Sequence, residues 1–110
     1  MRVVTLTLHP AIDRVVRVSA LRPGDTFDSR LVLTVSAGKG VNTARTLSAV
    51  WRAPKKIIAA VWLGRAEAEW FQRRLRELSG IRVAVCPREC GTRQTLTILE
   101  DGGRETRIKE

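Results

Sequence analysis

The 110 residues suffice for one domain or for part of a larger one, and 44% hydrophobic with 28% charged residues is the balance of a folded chain, not a disordered one. No apolar run approaches the roughly 20 residues of a membrane helix. The opening Met1-Arg2-Val3-Val4-Thr5-Leu6 lacks the apolar core and cleavage site of a secretory signal, so a cytoplasmic chain without membrane partners is expected. Twenty Lys and Arg against eleven Asp and Glu give a net charge of +9, which raises a basic nucleic-acid-binding domain as one reading. The distribution argues against it: the basic residues are scattered, and the chain has no Tyr to interleave as a stacking platform. Four of the five aromatic residues occupy expected core positions.

Val3 to Leu8 alternates and is rich in β-branched residues, which predicts a strand that His9-Pro10 breaks. Ile12 to Val18 is a second extended stretch. Leu21-Arg22-Pro23-Gly24-Asp25 is a turn, and Thr26 to Val35 a further strand. Ser36-Ala37-Gly38-Lys39-Gly40 is a glycine-rich junction from which a helix opens, with Val41, Ala44, Leu47, Ser48 and Trp51 at helical spacing and Arg52-Ala53-Pro54 as its end. Ile57 to Leu63 is a continuous apolar run, the pattern of a strand buried on both faces. Arg65 to Ser79 is a second helix, with Trp70, Phe71, Leu75 and Leu78 on one stripe and Gly80 as its stop. Within it, Glu69 and Arg73 are spaced for a surface pair. Ile81 to Val85 is a short strand, and Gln94–Leu99 with Arg104–Ile108 form a hairpin around Asp101-Gly102-Gly103. Strands linked by helices predict an α/β sheet with parallel members.

The junction at residues 37–42 is the most informative segment. Glycines allow close backbone approach, and the following helix presents unpaired N–H groups. Asn42, in the first turn, both donates and accepts and suits a polyol better than a phosphate. The patterns G-x-x-x-x-G-K-[ST] and G-x-G-x-x-G both fail here. Taken alone, the segment reads equally well as a structural turn. Asp13 is either a turn cap or a carboxylate that grips two hydroxyls. Arg93 is either a solvent contact or a bidentate phosphate ligand. His9 has no neighbour in sequence to complete an acid–base dyad. Cys86 and Cys90 lack the ligands of a zinc site and are read as two thiols with no shared role, so no metal site is expected.

Together these segments resemble the ribokinase-like (PfkB) carbohydrate kinases, in the hexose-phosphate branch typified by 1-phosphofructokinase and tagatose-6-phosphate kinase. Thr5-Leu6-Thr7-Leu8-His9-Pro10-Ala11-Ile12-Asp13 is similar to that family's opening T-L-N-P-A-I-D, and Leu21-Arg22-Pro23-Gly24-Asp25 to its L-R-P-G-E turn. Ala37-Gly38-Lys39-Gly40-Val41-Asn42-Thr43-Ala44-Arg45 resembles the first signature, A-G-G-K-G-[IV]-N-V-A-R. Trp62-Leu63-Gly64 and Gly91-Thr92-Arg93-Gln94-Thr95-Leu96-Thr97-Ile98 fall where the family has F-L-G and T-R-x-N-L-T-I. The chain departs at His9 and Thr95, where asparagines are usual, and at Ala37, where a glycine is usual.

The resemblance implies the N-terminal part of a three-layer α/β/α fold with a small β lid. Residues 1–110 would form one incomplete kinase domain: lid strands at about 12–35, glycine turn and helix at about 36–51, then core α/β and the hairpin. Asp13, Gly38 and Asn42 would hold sugar hydroxyls, Lys39 would sit beside them, and Arg93 would bind the phosphate that the substrate already carries. In the complete family enzyme an aspartate deprotonates the sugar hydroxyl that attacks the γ-phosphate of Mg-ATP. That aspartate lies in a G-A-G-D motif, which this sequence does not contain. The chain is therefore expected to hold neither catalytic base nor ATP and Mg2+ site, to be inactive alone, and to dimerise through its lid strands. The alternative is a non-catalytic sugar-binding or interaction module built on the same scaffold.

Overall fold

A computed structural model describes residues 1–110. In chain order it contains β1 (Val3–Thr7), β2 (Ala11–Val18), β3 (Arg30–Ala37), α1 (Lys39–Trp51), β4 (Ile57–Gly64), α2 (Ala68–Ser79), β5 (Arg82–Arg88), β6 (Arg93–Glu100) and β7 (Glu105–Lys109). Short 3-10 turns at Pro54–Lys56 and Arg65–Glu67 precede β4 and α2. The strands divide into two sheets. One is wholly parallel, in the order β1-β4-β5; the other is mixed, in the order β3-β2-β6-β7.

The parallel sheet carries the core. Ile57, Ala59, Val61 and Leu63 of β4 point to one face and are buried against Val41 and Ala44 of α1 and Phe71 and Leu75 of α2. Full burial of each large side chain contributes about 1.5–3 kcal/mol. Both helices end where the sequence stops them: Arg52 and Gly80 adopt left-handed backbone and return their N–H to Ser48 and Arg76. Two buried hydroxyls tie the helices to their neighbours. Ser36 donates to the Phe71 carbonyl (2.9 Å) and Ser48 to that of Ser79 (2.9 Å).

The opposite face of β4 corrects the expectation of burial on both sides. Ile58 and Ala60 are only half-buried and Trp62 is 45% exposed, with Leu6 and Leu8 of the β1 side and Ala84 and Cys86 of β5 beside them. The chain therefore has helices on one face of the parallel sheet, two layers of the expected α/β/α arrangement. The apolar run Ile57–Leu63 arises from one buried face plus one uncovered apolar face. Of the aromatics, only Phe71 is fully buried; Trp51, Trp70 and Phe27 are partly covered. Leu78, expected on the core stripe of α2, is exposed.

The mixed sheet also differs in detail. β3 begins at Arg30, because Thr26–Ser29 runs as irregular chain and lays Phe27 over the small cluster of Val16, Val18 and Ile98. The turn before it forms as expected, with Gly24 at φ 88° and the Asp25 N–H donating to the Arg22 carbonyl (3.3 Å). The β6–β7 hairpin, read from the sequence with the remainder of the chain, pairs with β2: Ala11 to Val18 lie in parallel register with Arg93 to Glu100. Local periodicity reports that both strands exist and carries no information about which distant strand they join.

Candidate functional site

The strands of the parallel sheet run out at one end, where β1 leads to His9-Pro10, β4 to Gly64 and β5 to the loop before Arg93. Ligand crevices of parallel α/β sheets lie at this C-terminal edge. Pro10 is buried and carries the chain from β1 straight into β2, which sets Asp13 as its third residue. β3 returns to the same corner and ends at Ala37, and Gly38 caps α1 at φ 129°. A Cβ on Gly38 would lie 2.8 Å from Thr7 Cγ2, so the turn rests directly on the end of β1. A Cβ on Gly40 would meet Thr7 Oγ1 at 2.5 Å and the Leu6 carbonyl at 2.8 Å. That glycine serves the close packing of α1 on β1, a structural role, whereas Gly38 is packed on Thr7 and also lines a cleft.

Asp13, Gly38, Lys39, Asn42 and Arg93 all line one cleft of about 520 Å³ between the mixed sheet and the start of α1. Asp13 and Arg93 are half-buried, while Lys39 and Asn42 are exposed. Arg93 opens β6 opposite Ala11, its Nη2 donates to the His9 carbonyl (3.4 Å), and its Nε is buried without a partner. The His9 contribution is thus its backbone oxygen; its imidazole is exposed and outside the cleft lining. Three residues that the sequence reading missed also face the cleft: Glu105, Arg107 and Lys109 of β7. Their spacing of two along a strand was visible, but the hairpin's place in the mixed sheet was not. Arg107 is paired with Glu105, which leaves Lys39, Arg93 and Lys109 as cations around Asp13. The cleft suits a ligand with several hydroxyls and an anionic group. A larger groove of about 720 Å³ between α1 and α2 presents Arg45, Thr46 and Glu77, and shares only Asn42 with the cleft.

On the far side of the mixed sheet, Glu100 fastens the turn at Leu21 to the hairpin. It accepts from Arg104 Nη2 (2.9 Å) and from the Leu21 N–H (2.9 Å). The Arg104 hydrogen bond first, and the Leu21 N–H second, hold this carboxyl below its ordinary value, and the Arg104 guanidinium is correspondingly raised. No group of three or more His, Cys, Asp or Glu gathers anywhere in a way that would hold a metal ion. Cys86 and Cys90 are free and exposed.

No family model matches the chain. A curated 1-phosphofructokinase of Xanthomonas campestris pv. campestris is 35% identical over 107 residues, which cover 96% of this chain and 32% of that protein. Phosphofructokinase-2 of Escherichia coli, solved in complex with fructose 6-phosphate, superposes with a TM-score of 0.82 at 25% identity over 97% of this chain and 34% of its own. Ribokinase of Giardia lamblia shares the fold with a TM-score of 0.79 at 20% identity, covering 99% of this chain and 35% of its own. The chain spans about a third of the length of these relatives. Sequence and fold agree in their likeness: over nearly its whole length the chain is similar to the N-terminal portion of ribokinase-like carbohydrate kinases.

Proposed function

We propose that this chain is the sugar-phosphate-binding part of an ATP-dependent sugar-phosphate kinase of the 1-phosphofructokinase type. The observation that carries the reading is the convergence of Asp13, Gly38, Lys39, Asn42 and Arg93 on one cleft at the C-terminal edge of the parallel strands. Asp13 accepts from two sugar hydroxyls, and Asn42 and the Gly38 backbone hold further ones. Arg93, with its free Nε, takes the phosphate already on the substrate, and Lys39 adds charge beside it. The fructose 6-phosphate complex of the Escherichia coli neighbour supports a ketohexose phosphate as the ligand class.

The sequence has no G-A-G-D motif, so neither the catalytic base nor Mg-ATP is assigned to residues of this chain. Phosphoryl transfer is assigned to the part of the fold outside this chain, and the chain alone is expected to transfer no phosphate. A second copy is the partner assigned to β3, an edge strand that exposes Leu31, Val32 and Leu33.

Titration of the chain with fructose 1-phosphate, fructose 6-phosphate and tagatose 6-phosphate, against unphosphorylated fructose, tests the reading. Charge-assisted hydrogen bonds contribute about 1.5–3 kcal/mol, so at least one sugar phosphate should bind tenfold or more tighter than fructose. Arg93→Ala should remove that preference. Equal binding of fructose and all three phosphates would retire the assignment.

A further inference from the structure

Arg93 is the first residue of the mixed sheet's β6, and it follows a loop with little apolar anchoring: Glu89, Cys90 and Gly91 are all exposed. Thr92, next to Arg93, is the exception, buried to 5% exposure. Its hydroxyl accepts from the N–H of Gly64 (3.0 Å), the last residue of β4. That same hydroxyl donates to Glu67 Oε2 (3.2 Å), and the Thr92 N–H donates to the same oxygen (3.3 Å). Glu67 stands on the 3-10 turn that leaves β4. A Cβ on Gly64 would come within 2.4 Å of Glu67 Oε2, 2.8 Å of the Thr92 nitrogen and 2.9 Å of the Cys90 carbonyl, so the three segments meet with no spare volume.

We infer that Glu67 is a positioning residue, which clamps Thr92 to the end of β4 and so aims Arg93 into the cleft. One carboxylate oxygen gathers two donors from a single residue and fixes both its backbone and its side chain. The joint links the C-terminal edge of the parallel sheet to the start of the mixed sheet. The Arg93 backbone pairs opposite Ala11 of β2, and its side chain has one hydrogen bond of its own, to the His9 carbonyl at 3.4 Å. The role in phosphate binding rests on the assignment of Arg93 above; the clamp itself does not.

The test compares Glu67→Ala, Glu67→Gln, Arg93→Ala and the Glu67→Ala/Arg93→Ala pair in the full chain. Two readouts are taken: titration with fructose 1-phosphate, fructose 6-phosphate and tagatose 6-phosphate, and amide exchange at Gly64 and Thr92. Glu67→Ala should weaken sugar-phosphate binding about tenfold, leave fructose binding unchanged, and speed exchange at Thr92 at least tenfold. Glu67→Gln, which keeps an acceptor oxygen, should recover most of both. The pair should bind no worse than Arg93→Ala alone, since both act through one guanidinium. If Arg93→Ala weakens binding and Glu67→Ala does not, the positioning role is overturned. If the unsubstituted chain binds no sugar phosphate, the phosphate assignment fails instead. The clamp is then judged by exchange alone, and unchanged protection of Thr92 in both Glu67 variants overturns it.

Discussion

Asp13 stands half-buried in a cleft whose other charges are mostly positive; its backbone belongs to the β3-β2-β6 ladder, while its carboxylate takes no part in the hydrogen bonds and ion pairs that hold the fold. Its replacement should therefore separate binding from stability. Asp13→Asn is expected to weaken sugar-phosphate binding about tenfold or more, because a site that lines up a carboxylate with hydroxyls loses charge-assisted hydrogen bonds. The melting temperature should stay within a degree or two, as for surface substitutions. A large drop in melting temperature with binding intact would make Asp13 a structural residue. Gly38 is the opposite case: at φ 129° and pressed on Thr7, any side chain strains the turn. Gly38→Ala should cost about 1–3 kcal/mol and shift the amides of Lys39 and Asn42. Glu100 carries a pH dependence. Because its folded-state pKa lies below its ordinary value of 4.5, the unfolded chain takes up the proton first as the pH falls. Its stabilisation is full above that value and is lost as the pH drops through the lower folded-state value. Glu100→Gln should flatten the acid limb of the stability profile, read by urea titrations at descending pH, and an unchanged limb would count against the Leu21–Glu100–Arg104 fastening.

At the scale of elements, the helices are legible because their cause is local. Val41, Ala44 and Ser48 repeat on one face of α1, and Phe71 with Leu75 on α2. Phe71→Ala should cost about 3–5 kcal/mol, seen as a fall in the urea midpoint. The strands were legible as strands, and the residues Asp13, Gly38, Lys39, Asn42 and Arg93 were found through motifs that travel with short stretches of sequence. What the sequence did not disclose is non-local. The uncovered face of β4 reads like a buried one, since Ile58, Ala60 and Trp62 are as apolar as their neighbours. Glu67 looks like any acidic residue opening a helix, and its partner Thr92 lies 25 positions away. The cleft-facing side of β7 depends on pairing with β6 and β2, which no period reveals. The uncovered face makes a direct prediction of its own. A solvatochromic dye should bind the chain, and Trp62→Lys should reduce that binding without loss of helix signal, because Trp62 lies on the open side of β4.

As a whole the molecule is long for its size. Its radius of gyration is 15.7 Å and its extents are 51 × 33 × 18 Å. A compact chain of this length has a radius near 13 Å. The excess reflects two sheets with separate apolar clusters, ten buried residues under the helices and three in the mixed sheet. The mixed sheet should accordingly open at lower free energy, with amides of β3 and β7 exchanging before those of α1 and β4. The pairing of β2 with β6 sets the order in which this molecule can be made. β2 leaves the ribosome early, but β6, its parallel neighbour, is separated from it by β3, both helices and two of the three strands of the parallel sheet. Such a distant closure is slow and comes after local structure has formed. During synthesis the helical lobe can therefore settle while Asp13 still waits for Arg93, and the chain acquires its shape before it acquires its cleft. A ribosome-bound nascent chain stalled just short of Arg93 would fold its helices yet lack the β6 wall of the cleft, so any ligand of the cleft would pass it by and bind only chains in which β6 has joined β2.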